Sequence, residues 1–397
     1  MPYNFDEIID RGPDSRTYSL KWQGYESRFP GYSIDVANML PMWVADMDFL
    51  CPEEVRAAIL KRAEHGIYGY PSEDANDEYR KAAIGWFARR YGWDNCKAEW
   101  MLFSPGVVPA INTSVQAFTG EGDGVIIQPP IYYPFIDAVR NNHRTLSNNP
   151  LREVDGRYEI DYENLEALAK EPSNKLIVLC NPHNPVGRVW SKEELYRVFK
   201  ICFDNDVIIF CDEIHGDLIM RGHRLFPTGS MEEFHDKVIL AHSASKTFNL
   251  AGLTAALITV PNEELRRELA RKMFANRLPM GNTFGPIAGA AAYLHGDAYA
   301  DELVKYVEAN VEYADAYLKK HLPDIKIVKP EGTYMVWIDL RQLKEKELYR
   351  TVLEKAKIAG DLGSWFGIGG EGFIRLNFAC PRSRITELLS RLSAVFQ

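Results

Sequence analysis

The stretch Val207-Ile-Ile-Phe-Cys-Asp-Glu-Ile-His215 decides the fold. Its apolar run, 207–211, has no polar break and is followed at once by a carboxylate, Asp212. A half-exposed strand alternates apolar and polar residues. A continuous Val/Ile-rich run of this length reads instead as a strand buried on both faces, which implies a mostly parallel sheet. Working outward, similar runs occupy 125–128, 176–180, 238–241 and 255–260, with amphipathic stretches between them. One of these predicts a helix over 192–205, opened by a capping box of Ser191 and Glu194 ahead of Leu195, Val198 and Phe199. Alternating strand and helix defines an α/β fold whose large domain is a mostly parallel sheet flanked by helices.

The last third changes character. Leu303, Tyr306, Val307 and Val311 recur at helical spacing and predict a long helix over 298–320. Strands follow near 325–328, 334–338 and 373–377, with helices at 345–359 and 382–396. This reads as a smaller α+β domain. The first stretch, to about residue 45, is aromatic-rich with little helical pattern and is expected to cross the surface and join that domain. The expected division is 47–287 for the large domain, and 1–46 with 288–397 for the small one. A chain of 397 residues has room for roughly two to three domains.

Composition narrows the function classes. Hydrophobic residues make up 46% and charged residues 25%, the balance of a globular protein and not of a disordered or fibrous chain. Lys and Arg total 46 against 55 Asp and Glu, and the net charge of −9 argues against non-specific binding to nucleic acid or an anionic membrane. No apolar run approaches the ~20 residues of a membrane span. The opening Met-Pro-Tyr-Asn-Phe-Asp-Glu lacks the basic and apolar parts of a signal peptide. The six cysteines form no CxxC pair, and Cys180 and Cys211 close apolar runs, so a reducing, cytoplasmic location is expected. The nine histidines show no metal-ligand spacing, and no metal is expected.

The residues just after three of the apolar runs carry the chemistry. After 176–180 comes Asn181-Pro-His-Asn-Pro-Val-Gly187; after 207–211, Asp212-Glu-Ile-His215; after 238–241, His242-Ser-Ala-Ser-Lys-Thr-Phe248. Ligands of open α/β sheets bind beyond the carboxyl ends of the strands, and here those ends present an amide, a carboxylate and a lysine flanked by hydroxyls. Each alone has a plain reading as a turn, a helix cap or a solvated charge. Together they suit pyridoxal phosphate. A lysine amine condenses with its aldehyde, and a carboxylate keeps its pyridine nitrogen protonated so that the ring draws electrons from the substrate Cα. An amide can hold the phenolic oxygen; hydroxyls and a helix N-terminus can hold the phosphate. The stretch Ser104-Pro-Gly106-Val107-Val108 fits that last part, as a Pro-Gly turn opening an apolar helix.

With these motifs in place, the chain resembles, over nearly its whole length, the fold-type-I pyridoxal-phosphate enzymes of the aspartate aminotransferase superfamily. Within them it is similar to the cystathionine β-lyase branch of MalY/PatB-type C–S lyases. The resemblance rests on Pro-Met-Trp-Val-Ala-Asp-Met-Asp-Phe (41–49), Asn-Pro-His-Asn-Pro-Val-Gly-Arg-Val-Trp (181–190), Cys-Asp-Glu-Ile-His-Gly-Asp-Leu (211–218) and Ser-Ala-Ser-Lys-Thr-Phe-Asn-Leu-Ala-Gly-Leu (243–253). It implies that Lys246 forms the Schiff base and moves the Cα proton, that Asp212 pairs with the pyridinium nitrogen, and that Asn184 bonds the phenolic oxygen and helps bind substrate. His215 belongs with the cofactor-binding residues. Tyr132 would stack on the ring, with Tyr133 as its alternative. Gly106, the backbone of Val107 and Val108, and Ser243 and Ser245 would cradle the phosphate. Tyr68, in Ile-Tyr-Gly-Tyr-Pro, would act catalytically and reach the phosphate of a partner subunit, so that a homodimer shares its active sites. Arg375, in Phe-Ile-Arg-Leu-Asn, would clamp the α-carboxylate of an amino-acid substrate; its plain alternative is half of a buried salt bridge.

Two positions depart from the common aminotransferase pattern. Thr254 stands where an arginine usually bonds the phosphate, and His215 where many aminotransferases carry tyrosine. Both are as expected in the C–S lyase branch. The resemblance therefore implies β-elimination of cystathionine or a related cysteine S-conjugate to a thiol, pyruvate and ammonia, with Tyr68, Tyr132 and Tyr133 open as proton donors to sulfur. Transamination of an aromatic or other apolar amino acid is the alternative, and relatives of this branch can also regulate through a protein partner. The run Gly367-Ile-Gly-Gly-Glu-Gly372 looks like a dinucleotide loop, but it precedes a strand and reads as a flexible loop.

Overall fold

The computed structural model describes residues 3–343, 345 and 347–397, the side chains of 73–75 excepted. Its main sheet has seven strands: β1 (Met101–Ser104), β2 (Gly124–Ile127), β3 (Thr145–Asn148), β4 (Asn174–Cys180), β5 (Ile208–Asp212), β6 (Val238–His242) and β7 (Ala256–Thr259). They lie in the order β1-β7-β6-β5-β4-β2-β3. β2 to β6 run parallel, and the expected apolar runs sit in the buried centre. β7 is the exception, antiparallel to both its neighbours. The link from β6 holds a single 3-10 turn, Ala251–Leu253, and no crossover helix, so the chain comes straight back along β6. The two outer strands were not legible in the pattern: the edge strand β3 reads Thr-Leu-Ser-Asn and is only partly buried.

Helices cover the sheet: α1 (Glu53–Glu64), α2 (Glu73–Tyr91), α3 (Val107–Phe118), α4 (Lys192–Asp204) and α5 (Gly285–His295). α4 begins with the expected capping box: the Ser191 hydroxyl accepts from the Glu194 N–H, and the Glu194 carboxylate accepts from the Ser191 N–H. α5 packs on α1 and α2, and a Cβ at Gly289 would lie 2.4 Å from the Tyr79 ring. The expected division at 287/288 falls inside this helix.

A second sheet, β8 (Lys326–Val328), β9 (Met335–Asp339), β10 (Asp361–Leu362) and β11 (Phe373–Asn377), is antiparallel in the order β8-β9-β11-β10. Beside it lie α6 (Asp297–His321) and α7 (Arg382–Phe396), close to the expected spans. The helix expected over 345–359 is corrected. Among the described residues of that span only Leu348–Lys355 is helical, and it passes into a π turn at Thr351. The chain then reverses at Lys357, whose φ is +54°, and the buried Ile358–Ala359 pairs in parallel with Leu40–Pro41. Those two apolar residues find burial and backbone partners in a strand that a continued helix would not give them. Lys346, within the expected helix, lies outside the described residues.

The N-terminal segment crosses the surface as two short helical turns, Leu20–Gln23 and Tyr25–Arg28. It is held by charges that burial forces into pairs. Lys21, fully buried, bonds Asp48 at 2.8 Å, and Arg11 bonds Asp46 and Asp48 at 2.7 Å each. The 181–190 loop is anchored in the same way. Buried Arg188 donates to Glu331 at 2.9 Å, to Glu194 at 2.8 Å and to the Tyr158 carbonyl. Glu331→Ala leaves that guanidinium short of a partner and is expected to lower the unfolding free energy by about 3 kcal/mol. A chemical-denaturation midpoint checks this; a loss below about 1 kcal/mol, typical of an exposed pair, would contradict it.

Candidate active site

β4, β5 and β6 are adjacent and parallel, so Asn184, Asp212 and Lys246, which stand at or just after their carboxyl ends, emerge at the same end of the sheet. They meet around a cavity of about 210 Å³. Gly106, Val107, Val108, Tyr132, His215, Ser243 and Ser245 complete the set of expected residues that line it. Arg375 sits behind Asn184, whose Oδ1 accepts from Arg375 Nη1 at 2.9 Å. Tyr68 does not line the cavity: it is 56% exposed, its hydroxyl donates to the Ala63 carbonyl, and its ring packs on Phe284.

Lys246 Nζ donates to the Ala45 carbonyl at 2.9 Å. Desolvation is the main influence on the amine and lowers it from 10.5 to about 8. Burial likewise raises Asp212 from 3.8 to about 7, although its Oδ1 accepts from the Ile214 N–H at 3.0 Å. Among the described residues no cation hydrogen-bonds this carboxylate. A buried carboxylate that faces a cavity without a cation of its own fits the protonated ring nitrogen of pyridoxal phosphate.

The Asp212 shift has a testable sign. The folded state holds this proton more tightly than the unfolded chain, so protein stripped of cofactor loses stability as pH rises from about 4 to about 7, and the loss is complete above that. Asp212→Asn has no proton to lose and keeps the acceptor for Ile214. It is expected to be more stable than the wild type by about 2–4 kcal/mol near pH 8, and near parity at about pH 4. Thermal unfolding at the two pH values reads this; a pH-independent difference would contradict it.

The opposite wall suits a phosphate. Gly106 has φ +137° and ψ 166°, a backbone that side chains rarely tolerate, and no side chain caps α3 behind it. The first-turn N–H groups of Val107 and Val108 therefore face the cavity without a side-chain acceptor, and Pro109 has none to offer. The Ser243 hydroxyl donates to the Ala255 carbonyl at 2.6 Å and accepts from the Ser245 N–H at 3.0 Å. Its proton is thus committed to holding the loop, which leaves the hydroxyls of Ser245 and Thr254 as donors toward the cavity. Thr254 also lines the cavity, its Oγ1 accepting from Asn282 at 3.2 Å, and no arginine does so among the described residues.

His215 Nδ1 pairs with the Thr333 hydroxyl at 3.1 Å, and burial holds the ring well below its usual range, so it stays neutral. Burial pushes the Tyr132 and Tyr133 phenols upward, which keeps both protonated. Sequence reasoning missed two groups. The Ala45 carbonyl accepts from both Lys246 and Tyr334, the latter at 3.0 Å, and Tyr334 is buried. A backbone carbonyl leaves no side-chain signal, although Ala45 lies within the quoted 41–49 motif.

The chain matches the family described as aminotransferase class I and II over residues 37–392, and it belongs to that family. It is 41% identical over 394 residues to cystathionine beta-lyase PatB of Bacillus subtilis (strain 168), covering 98% of this chain and 99% of that one. It is 30% identical over 388 residues to Protein MalY of Escherichia coli (strain K12), covering 97% and 96%. Among solved structures, cystalysin from Treponema denticola, which contains a pyridoxal 5'-phosphate cofactor, aligns with a TM-score of 0.92 at 37% identity, covering 100% of this chain and 99% of that one. The α/β architecture is that of fold-type-I pyridoxal-phosphate enzymes.

Proposed function

We propose that this protein is a pyridoxal-phosphate-dependent carbon–sulfur lyase that splits cystathionine, or a related cysteine S-conjugate, by β-elimination. One observation carries the reading: Lys246, with its lowered amine, and the buried Asp212 face one cavity, in a chain 41% identical over its length to a cystathionine β-lyase. Bound pyridoxal phosphate supplies an electron sink conjugated to the substrate Cα. Asp212 holds the proton on the pyridine nitrogen. Asn184, its Oδ1 occupied by Arg375, offers Nδ2 to the phenolic oxygen, and Tyr132 packs the ring. The N–H groups of Val107 and Val108 and the Ser245 hydroxyl hold the phosphate. Arg375 takes the substrate α-carboxylate.

Lys246 Nζ, neutral in a large fraction near pH 8, takes the Cα proton as general base. The Cβ–S bond would then break with its electron pair on sulfur. A phenol hydrogen, from Tyr132 or Tyr133 in this chain or from Tyr68 of a second copy, would neutralise the thiolate. The Lys246 ammonium formed at the previous step would return its proton to that phenol, which burial makes a strong base once ionised. The three-carbon fragment takes up water and ends as pyruvate and ammonia, so cystathionine plus water gives homocysteine, pyruvate and ammonia.

The exposed segment Ile67-Tyr-Gly-Tyr70, with Ile67 68% and Tyr70 90% exposed, supports a homodimer in which Tyr68 reaches the partner's phosphate. Six free thiols support a cytoplasmic location. We place the division between the cofactor-holding part and the smaller part at Gly296, after α5. Purified holoenzyme given L-cystathionine and no keto acid is expected to release pyruvate; release only with an added keto acid would favour transamination.

A further inference from the structure

Arg375 does not stand alone but belongs to a largely buried cluster of three charged groups. Asp361 on β10 lies directly opposite Arg375 on β11, and its Oδ2 accepts from Arg375 Nη2. Its other oxygen, Oδ1, accepts from Arg28 Nη2 at 2.9 Å. Asp361 and Arg375 are both buried, at 1% exposure each. One carboxylate is therefore shared between two guanidiniums. Arg28 belongs to the N-terminal turn Tyr25–Arg28 and has no other acid partner among the described residues. Aromatic faces hold it instead: Trp365 at 3.8 Å, Tyr133 at 4.5 Å and Trp43 at 5.7 Å from the guanidinium carbon. The buried Nε of Arg375 has no hydrogen-bond partner, which leaves a donor open in a group otherwise tied to Asn184, Asp361 and the Trp43 carbonyl.

The arithmetic of charge decides what this arrangement does. Arg375 and Asp361 alone form a neutral pair, and Asp361 would repel a second carboxylate brought to the same guanidinium. With Arg28 on the far oxygen the three groups carry one net positive charge, which matches one substrate carboxylate. We propose that Arg28 is a positioning and specificity residue of the substrate site: by sharing Asp361 it keeps Arg375 electropositive for the α-carboxylate. The inference rests on the reading of Arg375 as the carboxylate clamp.

The test titrates holoenzyme with two small ligands and follows the visible absorbance of the cofactor. L-Alanine carries the amine and the carboxylate but no leaving group at Cβ; ethylamine carries the amine alone. Neither can eliminate, so the ratio of their affinities reads the clamp even where the lyase reading fails. Arg28→Met is expected to weaken L-alanine by about tenfold and leave ethylamine unchanged. Arg28→Lys, which keeps the charge, retains most of the affinity. Adding Asp361→Asn to Arg28→Met removes the neutralising carboxylate and is expected to bring L-alanine back to within about threefold of the wild type. Unchanged L-alanine affinity in Arg28→Met, a parallel loss of ethylamine, or a double variant no better than the single would each overturn the proposal. If Arg28→Met fails to fold, Arg28→Gln, which can keep one bond to Asp361, repeats the test.

Discussion

Lys246→Ala is expected to lower pyruvate release from a cysteine thioether by at least about 10³-fold, because in the proposed mechanism one amine both anchors the cofactor and takes the Cα proton. The surroundings explain why this lysine suits both roles. Its burial, which the nearby carboxylates of Asp46 and Asp212 offset only in part, brings the amine to about 8, so it exchanges a proton readily at neutral to mildly alkaline pH. Its partner in the resting protein is a carbonyl, that of Ala45, and not a carboxylate that would trap it as a cation. Single-turnover and steady-state rates on the same preparation check the expectation. A variant that kept more than about a tenth of the rate would place the base elsewhere.

Arg375→Ala carries the second large effect. If Arg375 clamps the substrate α-carboxylate as proposed, its charge-assisted hydrogen bonding is lost and kcat/KM is expected to fall roughly 10²- to 10³-fold, mostly through KM. Arg375→Lys is expected to recover little of this, because an ammonium offers no planar fork to a carboxylate and cannot span Asn184 and Asp361 together. The variant should still fold, since Asp361 keeps Arg28 as its partner. Steady-state kinetics on cystathionine distinguish the outcomes: a loss below about tenfold would mean that the α-carboxylate is held by another group.

The legible parts of the molecule were those whose signal is local. Val/Ile-rich runs marked the buried strands, and polar groups at their ends marked the site, since both follow from strand geometry over fewer than about ten residues. The Ser191 capping box was visible for the same reason. What escaped depends on distant chain. The direction of β7 follows from the absence of a crossover helix after Lys246, which no run of apolar residues reveals. Ile358–Ala359 forms a strand only because Leu40–Pro41 is there to pair with it. Arg375 had two readings, a carboxylate clamp or half of a salt bridge, and the bond to Asp361 shows that it is at least the second. Arg28 lies 333 residues from Asp361, beyond any pattern the chain displays.

The central claim, elimination and not amino-group transfer, is tested most directly by a partition measurement. Holoenzyme is incubated with L-cystathionine, with and without 2-oxoglutarate, and pyruvate, homocysteine and glutamate are counted in the same tubes. Pyruvate and homocysteine formed in equal amounts, at a rate indifferent to 2-oxoglutarate and with little glutamate, is the predicted result. Glutamate formed in step with substrate loss, and no pyruvate unless 2-oxoglutarate is present, would contradict it.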